Sequence, residues 1–403
     1  MNVPQFRFNG FDGEWELRTL KEVTNNIGDG MHSTPLYDEK GDYFFVNGSN
    51  IQKGKLEFDD ITKKINYEEY LKYGNKLEEN SILVSLNGAT WGRFGMYKNE
   101  NVCLGKSLGY INVIDTVYND FIYYILQTNK TRKYFESVTT GSTIKNLSLN
   151  TLRNTQLKVP PKVEQKKIAK FLMFLDEKIQ KQQEKVILMK QQKKGLMQKI
   201  FSQELRFKGE NGQEYPEWEM KTITEIAEII RGIGLNKDSI QVGGRYSCIL
   251  YGELFTKYTT CIDKVESNTN DTSNVISKIG DILMPTSDVT PSGLAKACCV
   301  LVGGVYIGGD INIIRSKDNV DPIFLSYQLN FFKNKIIRLV SGTTIKHIYP
   351  KDIKGLSYFL PKIEEQRILS KFLMKIDNHI VKEKNKLLIL ENQKKGFMQK
   401  MFI

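Results

Sequence analysis

Lys-Lys-Gly-Leu-Met-Gln-Lys-Ile-Phe at residues 193–201 returns as Lys-Lys-Gly-Phe-Met-Gln-Lys-Met-Phe at 394–402, and this repeat decides the fold. Upstream of it, Lys-Phe-Leu-Met (170–173) falls on 371–374 and Asp176 on Asp377, so 162–201 superposes on 363–402 at a single shift of 201 residues without a gap. Within the first copy, Ile168, Leu172, Leu175, Ile179, Val186, Met189, Leu196 and Ile200 are spaced by alternating fours and threes once Gln182 and Lys193 are counted in. The second copy repeats the series with Leu369, Leu373, Ile376, Ile380, Leu387, Leu390, Phe397 and Met401, interrupted by Glu383 and Lys394 at the same two places. Such spacing is a coiled-coil seam, and a polar residue in a seam fixes register at a cost in stability. Matched interruptions predict that the two helices pair with each other. Gly195 and Gly396 are candidate points for an early end or bend.

The duplication extends through the chain. Phe-Arg-Phe-Asn-Gly and Trp15 near the start return as Leu-Arg-Phe-Lys-Gly and Trp218, the second set directly after the first long helix. The first set has no helix before it, and its missing predecessor is the helix at the C-terminus. The expected architecture is therefore cyclic, with the start of the chain beside the end of the second helix, a pseudo-two-fold relation between halves, and antiparallel paired helices. The fold class is α+β: two mixed α/β regions, 1–160 and 204–360, alternating with helical segments 161–203 and 361–403. Tyr43–Val46, Ile82–Leu86, Val102–Leu104 and Leu108–Val113 read as strands in the first region; Ile282–Met284, Ala297–Val302 and Ile311–Arg315 do so in the second. Each region closes with a helix, about 119–136 and about 322–338, and a shared turn, Thr-Gly-Ser-Thr-Ile-Lys-Asn-Leu (140–147) or Ser-Gly-Thr-Thr-Ile-Lys-His-Ile (341–348). Val-Pro (159, 160) or Leu-Pro (360, 361) and then Glu-Gln (164, 165 or 365, 366) lead into the long helices. Between these edges, 30–110 and 232–312 share little beyond strand rhythm. A duplicated frame with two different inserts implies two different targets.

Composition narrows the class. With 403 residues and 40% hydrophobic content the chain can bury real cores. Apolar runs stay short of membrane-spanning length and the N-terminus lacks the order of a signal peptide, so a cytoplasmic protein without membrane association is expected. Five cysteines without Cys-x-x-Cys spacing are expected to be buried free thiols. The net charge of +12 sits in the helices: residues 162–199 hold 11 Lys against 4 acids, and 362–400 hold 10 Lys or Arg against 5. This is either a solvated face or a phosphate-facing stripe. No phosphate-cradling Gly-x-x-x-x-Gly-Lys-Ser/Thr is present; Gly28-Asp-Gly30 and Gly232-Ile-Gly234 are expected to be turns. The three histidines (32, 347, 379) lack ligand-spaced companions, so neither a metal site nor catalytic residues are expected. The Asn/Asp-Pro-Pro-Tyr/Phe motif of adenine amino-methyltransferases is missing.

The Val/Leu-Pro and Glu-Gln approach, Phe-Leu-x-x-Ile/Leu-Asp-x-x-Ile at 171–179 and 372–380, and the Lys-Lys-Gly-x-Met-Gln-Lys-x-Phe exit resemble the specificity subunit of type I restriction-modification systems in both copies. That resemblance implies two target recognition domains, each reading one half of an asymmetric bipartite site in double-stranded DNA, separated by helices that set the spacing. Two methyltransferase subunits would dock on the helices for adenine-N6 methylation, and restriction subunits with nuclease and translocase activity would join them. S-adenosylmethionine, ATP and Mg are expected on those partners, with no cofactor in this chain. The helix-pairing candidates are Ile168, Leu172, Leu175, Ile179 and Val186 against Leu369, Leu373, Ile376, Ile380 and Leu387.

Reading bases takes side chains that offer paired donors and acceptors. Asp29 to Pro35 resembles a Gly-x-His-x-Thr-Pro loop of the family, with Met31 where a small polar residue is usual. It nominates His32 and Thr34, although a His capping a local turn is an equal alternative. Asn87, Thr90, Arg93 and Lys106 lie in Gly-rich loops after strands; Ser287, Thr290, Ser292 and Lys296 are the candidates in the second region. Thr143, Lys145, Thr344 and Lys346, in the turn common to both copies, suit a shared role: phosphate contact or packing. The rival from another class is a non-catalytic coiled-coil scaffold with two protein-binding modules, to which loops this rich in Gly and hydroxyls are less suited.

Overall fold

The computed structural model describes residues 3–74, 76–139, 145–209, 211–272 and 275–402. Its longest elements are two helices, Lys162–Phe201 and Ile363–Met401, both unbroken. At about 1.5 Å per residue each runs roughly 60 Å. The break anticipated at Gly195 or Gly396 is absent: the neighbouring seam residues Leu196, Ile200, Phe397 and Met401 are withdrawn from solvent, and that packing outweighs the roughly 1 kcal/mol cost of a helical glycine. Every seam position of both helices is buried or half-buried, the polar ones included, whereas Phe174, Ile187, Leu188, Leu388 and Ile389 off the seam are exposed.

The chain divides into two compact units, Met1–Glu184 with Lys384–Ile403, and Lys185–Glu383. Each takes the first part of one long helix and the last part of the other.

In the first unit, strands Thr24–Asp29, Leu108–Val113, Ile82–Ser85 and Phe94–Met96 lie in that order in an antiparallel sheet. A smaller sheet orders Lys64–Ile65, Tyr43–Val46 and Val102–Leu104, the last two parallel. Strand Glu16–Thr19 pairs with Gln156–Val159 just before the long helix. The Arg7 guanidinium donates to both oxygens of Glu164 at 2.8 and 2.7 Å, an ion pair nearly closed to water that holds Arg7 above its ordinary pKa. Gln165 donates to the Pro160 carbonyl and accepts from the Tyr118 N–H, fastening the helix start to the segment that follows the sheet. Beneath them, Trp15 and Phe402 both pack on Phe121, with ring centres 5.9 and 5.4 Å apart. The Phe6 N–H donates to the Lys400 carbonyl at 2.9 Å, so the chain start does lie beside the end of the second helix.

The two helix segments of this unit run antiparallel, as Phe171 against Phe397, Asp176 against Lys394 and Gln183 against Glu391 show. Asp176 accepts from Lys394 and, at 2.7 Å, from the Tyr124 hydroxyl. Burial, reinforced by that carboxylate, pushes the Tyr124 phenol far above its usual range.

The second unit repeats this plan. Ala227–Arg231, Ile311–Ser316, Ile282–Pro285 and Cys298–Val300 follow the same order, extended by Cys261–Ile262, and the small sheet orders Ser267–Thr269, Tyr246–Ile249 and Tyr306–Ile307. The interiors that diverge in sequence therefore share both sheets. Arg206 grips Glu365, Gln366 bonds Pro361 and Asp321, and Trp218 and Phe201 pack on Phe324. Lys193 meets Asp377 at 2.6 Å, Lys185 meets Glu383 at 3.2 Å, and the Tyr327 hydroxyl completes the triad on Asp377 at 2.6 Å. The seam lysines read as interruptions are thus ion-paired to the aspartate of the opposite copy.

Three local expectations are corrected. The helix at about 119–136 is two, Asn119–Leu126 and Asn129–Val138, because the Thr128 hydroxyl caps the second by accepting from the Thr131 N–H. That at about 322–338 is likewise two, Pro322–Phe331 and Lys333–Ile337. Gly28 belongs to a strand rather than a turn; a Cβ there would lie 2.6 Å from the Tyr110 ring, so close packing is what demands glycine. Of the second pair, Gly234 does take a left-handed turn conformation. The cysteines are free, four buried and Cys261 half-buried.

Replacing Arg7 with alanine strands the fully buried Glu164 carboxylate. A loss of about 3 kcal/mol is expected in urea unfolding, the cost of breaking one side of a buried ion pair; an unchanged midpoint would show the pair to be dispensable.

Candidate nucleic-acid interface

Antiparallel pairing decides where the loops go. Asp29 lies opposite Gly109, Leu108 opposite Ser85, and Val84 opposite Phe94, so the loops after Asp29 and Ser85 and those before Phe94 and Leu108 all leave the same end of the sheet. Backbone bonds lace them together: Met31 N–H to the Leu104 carbonyl, Gly105 to Val46, Leu86 to Ser107 and Leu147 to Leu86, each at 2.8 Å. Ser107 bonds the Asn47 side chain and the Gly48 N–H. At the opposite end of the sheet, strand Leu108–Val113 runs on to Tyr118 and the helix start. The first unit thus has a framework end and a loop end.

Most first-region candidates gather at the loop end. His32 is exposed and lies 2.9 Å from Asp29, so it does close a local turn; Thr34 and Lys106 are exposed. Met31 points the other way, into a core with Ile65 and Cys103, where burial pushes the Cys103 thiol up to about 11. That anchoring explains a large apolar residue at this place in the loop. Asn87 is half-buried and its side chain has no hydrogen-bond partner among the described residues, whereas the Thr90 hydroxyl is spent on Ser85 at 2.9 Å. Positive φ at Gly88 and Gly92 curls this loop and delivers exposed Arg93, whose guanidinium approaches the Ile51 carbonyl at 3.4 Å. Lys145 is exposed, its amine 4.9 Å above the Trp91 ring. Thr143 lies outside the described residues. A cleft of about 440 Å³ beside the loop end is lined by Trp91, Arg93, Lys53 and Arg132.

In the second unit Arg231 lies opposite Asn312, Pro285 opposite Ile311, and Leu283 opposite Cys298, which sends the matching loops off one end again. Ser287 and Asp288 pair with His347 and Lys346, so the shared turn folds directly onto the divergent loop. Ser287 is half-buried; Thr290 accepts from Gly293 and donates to Asp288, so it shapes the loop from within. Ser292 and Thr344 are exposed. Lys346 donates to the Gly342 carbonyl at 2.7 Å, and Lys296 donates to the Tyr258 carbonyl, turning its charge toward the protein.

Sequence reasoning passed over two residues, Asn146 and His347, which occupy one position of the shared turn. Asn146 bridges to Asn87 as His347 does to Ser287. The available signal was that they differ inside a turn whose neighbours match. Among the described residues, no group of three or more His, Cys, Asp or Glu is placed to hold a metal ion, and no helix is long and apolar enough to cross a membrane.

The helix-pairing candidates lie where the seam puts them: Ile168, Leu172, Leu175, Val186, Leu369, Leu373 and Ile380 are buried, and Ile179, Ile376 and Leu387 half-buried.

Two alike frames that present different polar loops define a subunit built to recognise two different targets. The family model of the type I restriction modification DNA specificity domain matches residues 12–189 and 215–391, and the chain belongs to that family: it is a specificity subunit of a type I restriction-modification system, with two DNA specificity domains. It is 28% identical to a putative type I restriction enzyme MjaX specificity subunit of Methanocaldococcus jannaschii, over 95% of this chain and 91% of that one. Against the MjaVIII specificity subunit of the same organism it is 25% identical over the same shares. Its fold is that of the type I restriction-modification S subunit from M. genitalium, with a TM-score of 0.63 at 17% identity over 100% of this chain and 99% of that one.

Lys145→Ala removes an exposed cation from a turn that both domains share. Duplex binding is expected to weaken alike for all sequences, with the salt dependence shallower by about one counterion; an altered sequence preference in a binding-site selection would refute a phosphate role.

Proposed function

We propose that each loop end reads one half of an asymmetric bipartite duplex site and that the helices set the gap between the halves. The observation that carries this reading is the duplicated frame holding two unlike loop sets: Asn87, Arg93 and Lys106 with His32 in one, Ser287 and Ser292 in the other. A site of two short blocks with an unread gap of several base pairs follows from it. Catalysis is left to partners, so this chain positions methyl transfer to adenine N6 without performing it. S-adenosylmethionine belongs to two methyltransferase subunits, and ATP and Mg to restriction subunits that join the same assembly in the cytoplasm.

The methyltransferase subunits are assigned to the helices. Ile187-Leu188 and Leu388-Ile389 are exposed apolar pairs at the same position of the two helix copies. Large apolar side chains held in water twice over, at equivalent places, suit a partner that binds in two copies through one kind of surface.

Two measurements test this. Sequencing of N6-methyladenine in host DNA with and without the gene is expected to lose one gapped motif on deletion; a continuous motif would contradict the reading. The quadruple substitution of Ile187, Leu188, Leu388 and Ile389 by aspartate is expected to abolish co-purification of the methyltransferase subunit while duplex binding persists. Undiminished co-purification would remove the helices as its dock.

A further inference from the structure

The shared turn contains a position that behaves unlike its neighbours. Ile345 and Lys346 repeat residues 144 and 145, and Ile348 matches Leu147 in being buried, but the residue between is Asn146 in one copy and His347 in the other. The backbone around it is held the same way in both units: Leu147 N–H donates to the Leu86 carbonyl at 2.8 Å, and Ile348 N–H to the Thr286 carbonyl at 3.0 Å. Asn146 therefore stands opposite Asn87, and His347 opposite Ser287. The opposing residue differs between copies too. All four side chains are exposed or half-buried and, among the described residues, none makes a side-chain hydrogen bond to the protein. The His347 ring lies nearly parallel to that of Tyr349, at 18° and 6.0 Å, which restrains the imidazole without using its nitrogens.

Side chains that pack or brace the frame would be spent on the protein and alike in two domains that share it. These are unspent and unlike, and a β-bridge rather than a loop tip holds them. Residues opposed across such a bridge have Cβ atoms about 5 Å apart, close enough for both to address one base pair. We propose that Asn87 with Asn146, and Ser287 with His347, each read one base pair of their own half-site. The inference rests on the bipartite-site reading above. Two carboxamides offer the donor and acceptor that match adenine N6 and N7, so the first pair selects an A·T pair. The imidazole N–H and serine hydroxyl can both donate, which favours the O6 and N7 acceptors of guanine in the second.

The test exchanges the pairs in the complete methylating complex. N87S/N146H in one protein, and S287N/H347N in another, are co-expressed with the methyltransferase subunits, and the N6-methyladenine motif of each is read by sequencing. The first variant is expected to change one position in one half-site, leave the other half and the gap as in the wild type, and methylate the original site at least about tenfold more slowly. The second should alter the other half alone. A wild-type gapped motif that both variants retain would overturn this inference and leave the bipartite reading intact; a wild-type complex with no gapped motif would overturn both. Where an exchange silences methylation, Asn146→Ala or His347→Ala is assayed against duplexes varied one base pair at a time. Loss of discrimination at a single position supports base reading, and uniform weakening across the panel overturns it.

Discussion

Asp176 and Asp377 are the points on which the structure turns. Each carboxylate accepts a hydrogen bond from a tyrosine of its own recognition domain, Tyr124 or Tyr327, and an ion pair from a lysine of the opposite helix copy, Lys394 or Lys193. Charge-assisted bonds of this kind are directional, whereas apolar contacts along a seam tolerate sliding by a turn. An all-leucine seam would pair these helices firmly but in several registers. With the triads present, a slip of one turn strands a lysine, an aspartate and a buried phenol together. The same three side chains that choose the register also bolt the domain to the helix.

The remaining shared motifs complete that joint. Arg7 and Arg206 hold Glu164 and Glu365, the glutamines next to them tie the helix start to the segment entering it, and Phe402 and Phe201 insert from the other helix copy against Phe121 and Phe324. All of this lies at the framework end of each unit. The loop end, from which Asp29, Ser85, Arg231 and Pro285 lead out, lies at the other end of the strands, and none of these joint residues belongs to its loops. Loop sequences can therefore differ between the two domains without disturbing the joint.

How much was legible beforehand follows the same division. Period and duplication exposed the seam, the polar interruptions, the cyclic order and the common turn, because those features are local patterns or comparisons of the chain with itself. The breaks at Thr128 and Phe332 were missed because a hydroxyl cap or a single irregular residue scarcely alters apolar spacing. Gly28 was misread because its reason is a ring more than eighty residues away. In the loops, Thr90 and Asn87 look equally polar in sequence; one hydroxyl is consumed by Ser85 and one carboxamide is left open, a difference set by contacts that residue type does not disclose.

By itself the sequence determined the family, the two-copy frame and the pairing of its helices, since an ungapped repeat with a matched seam admits few other solutions. Only the tertiary structure decided which divergent residues stand together. Asn146 is nearly sixty positions from Asn87, and His347 is sixty from Ser287. Each pair is brought face to face by hydrogen bonds between backbones, and backbone groups are the same for every residue. Partnerships made that way leave no periodicity behind, so they become visible only when the chain is folded.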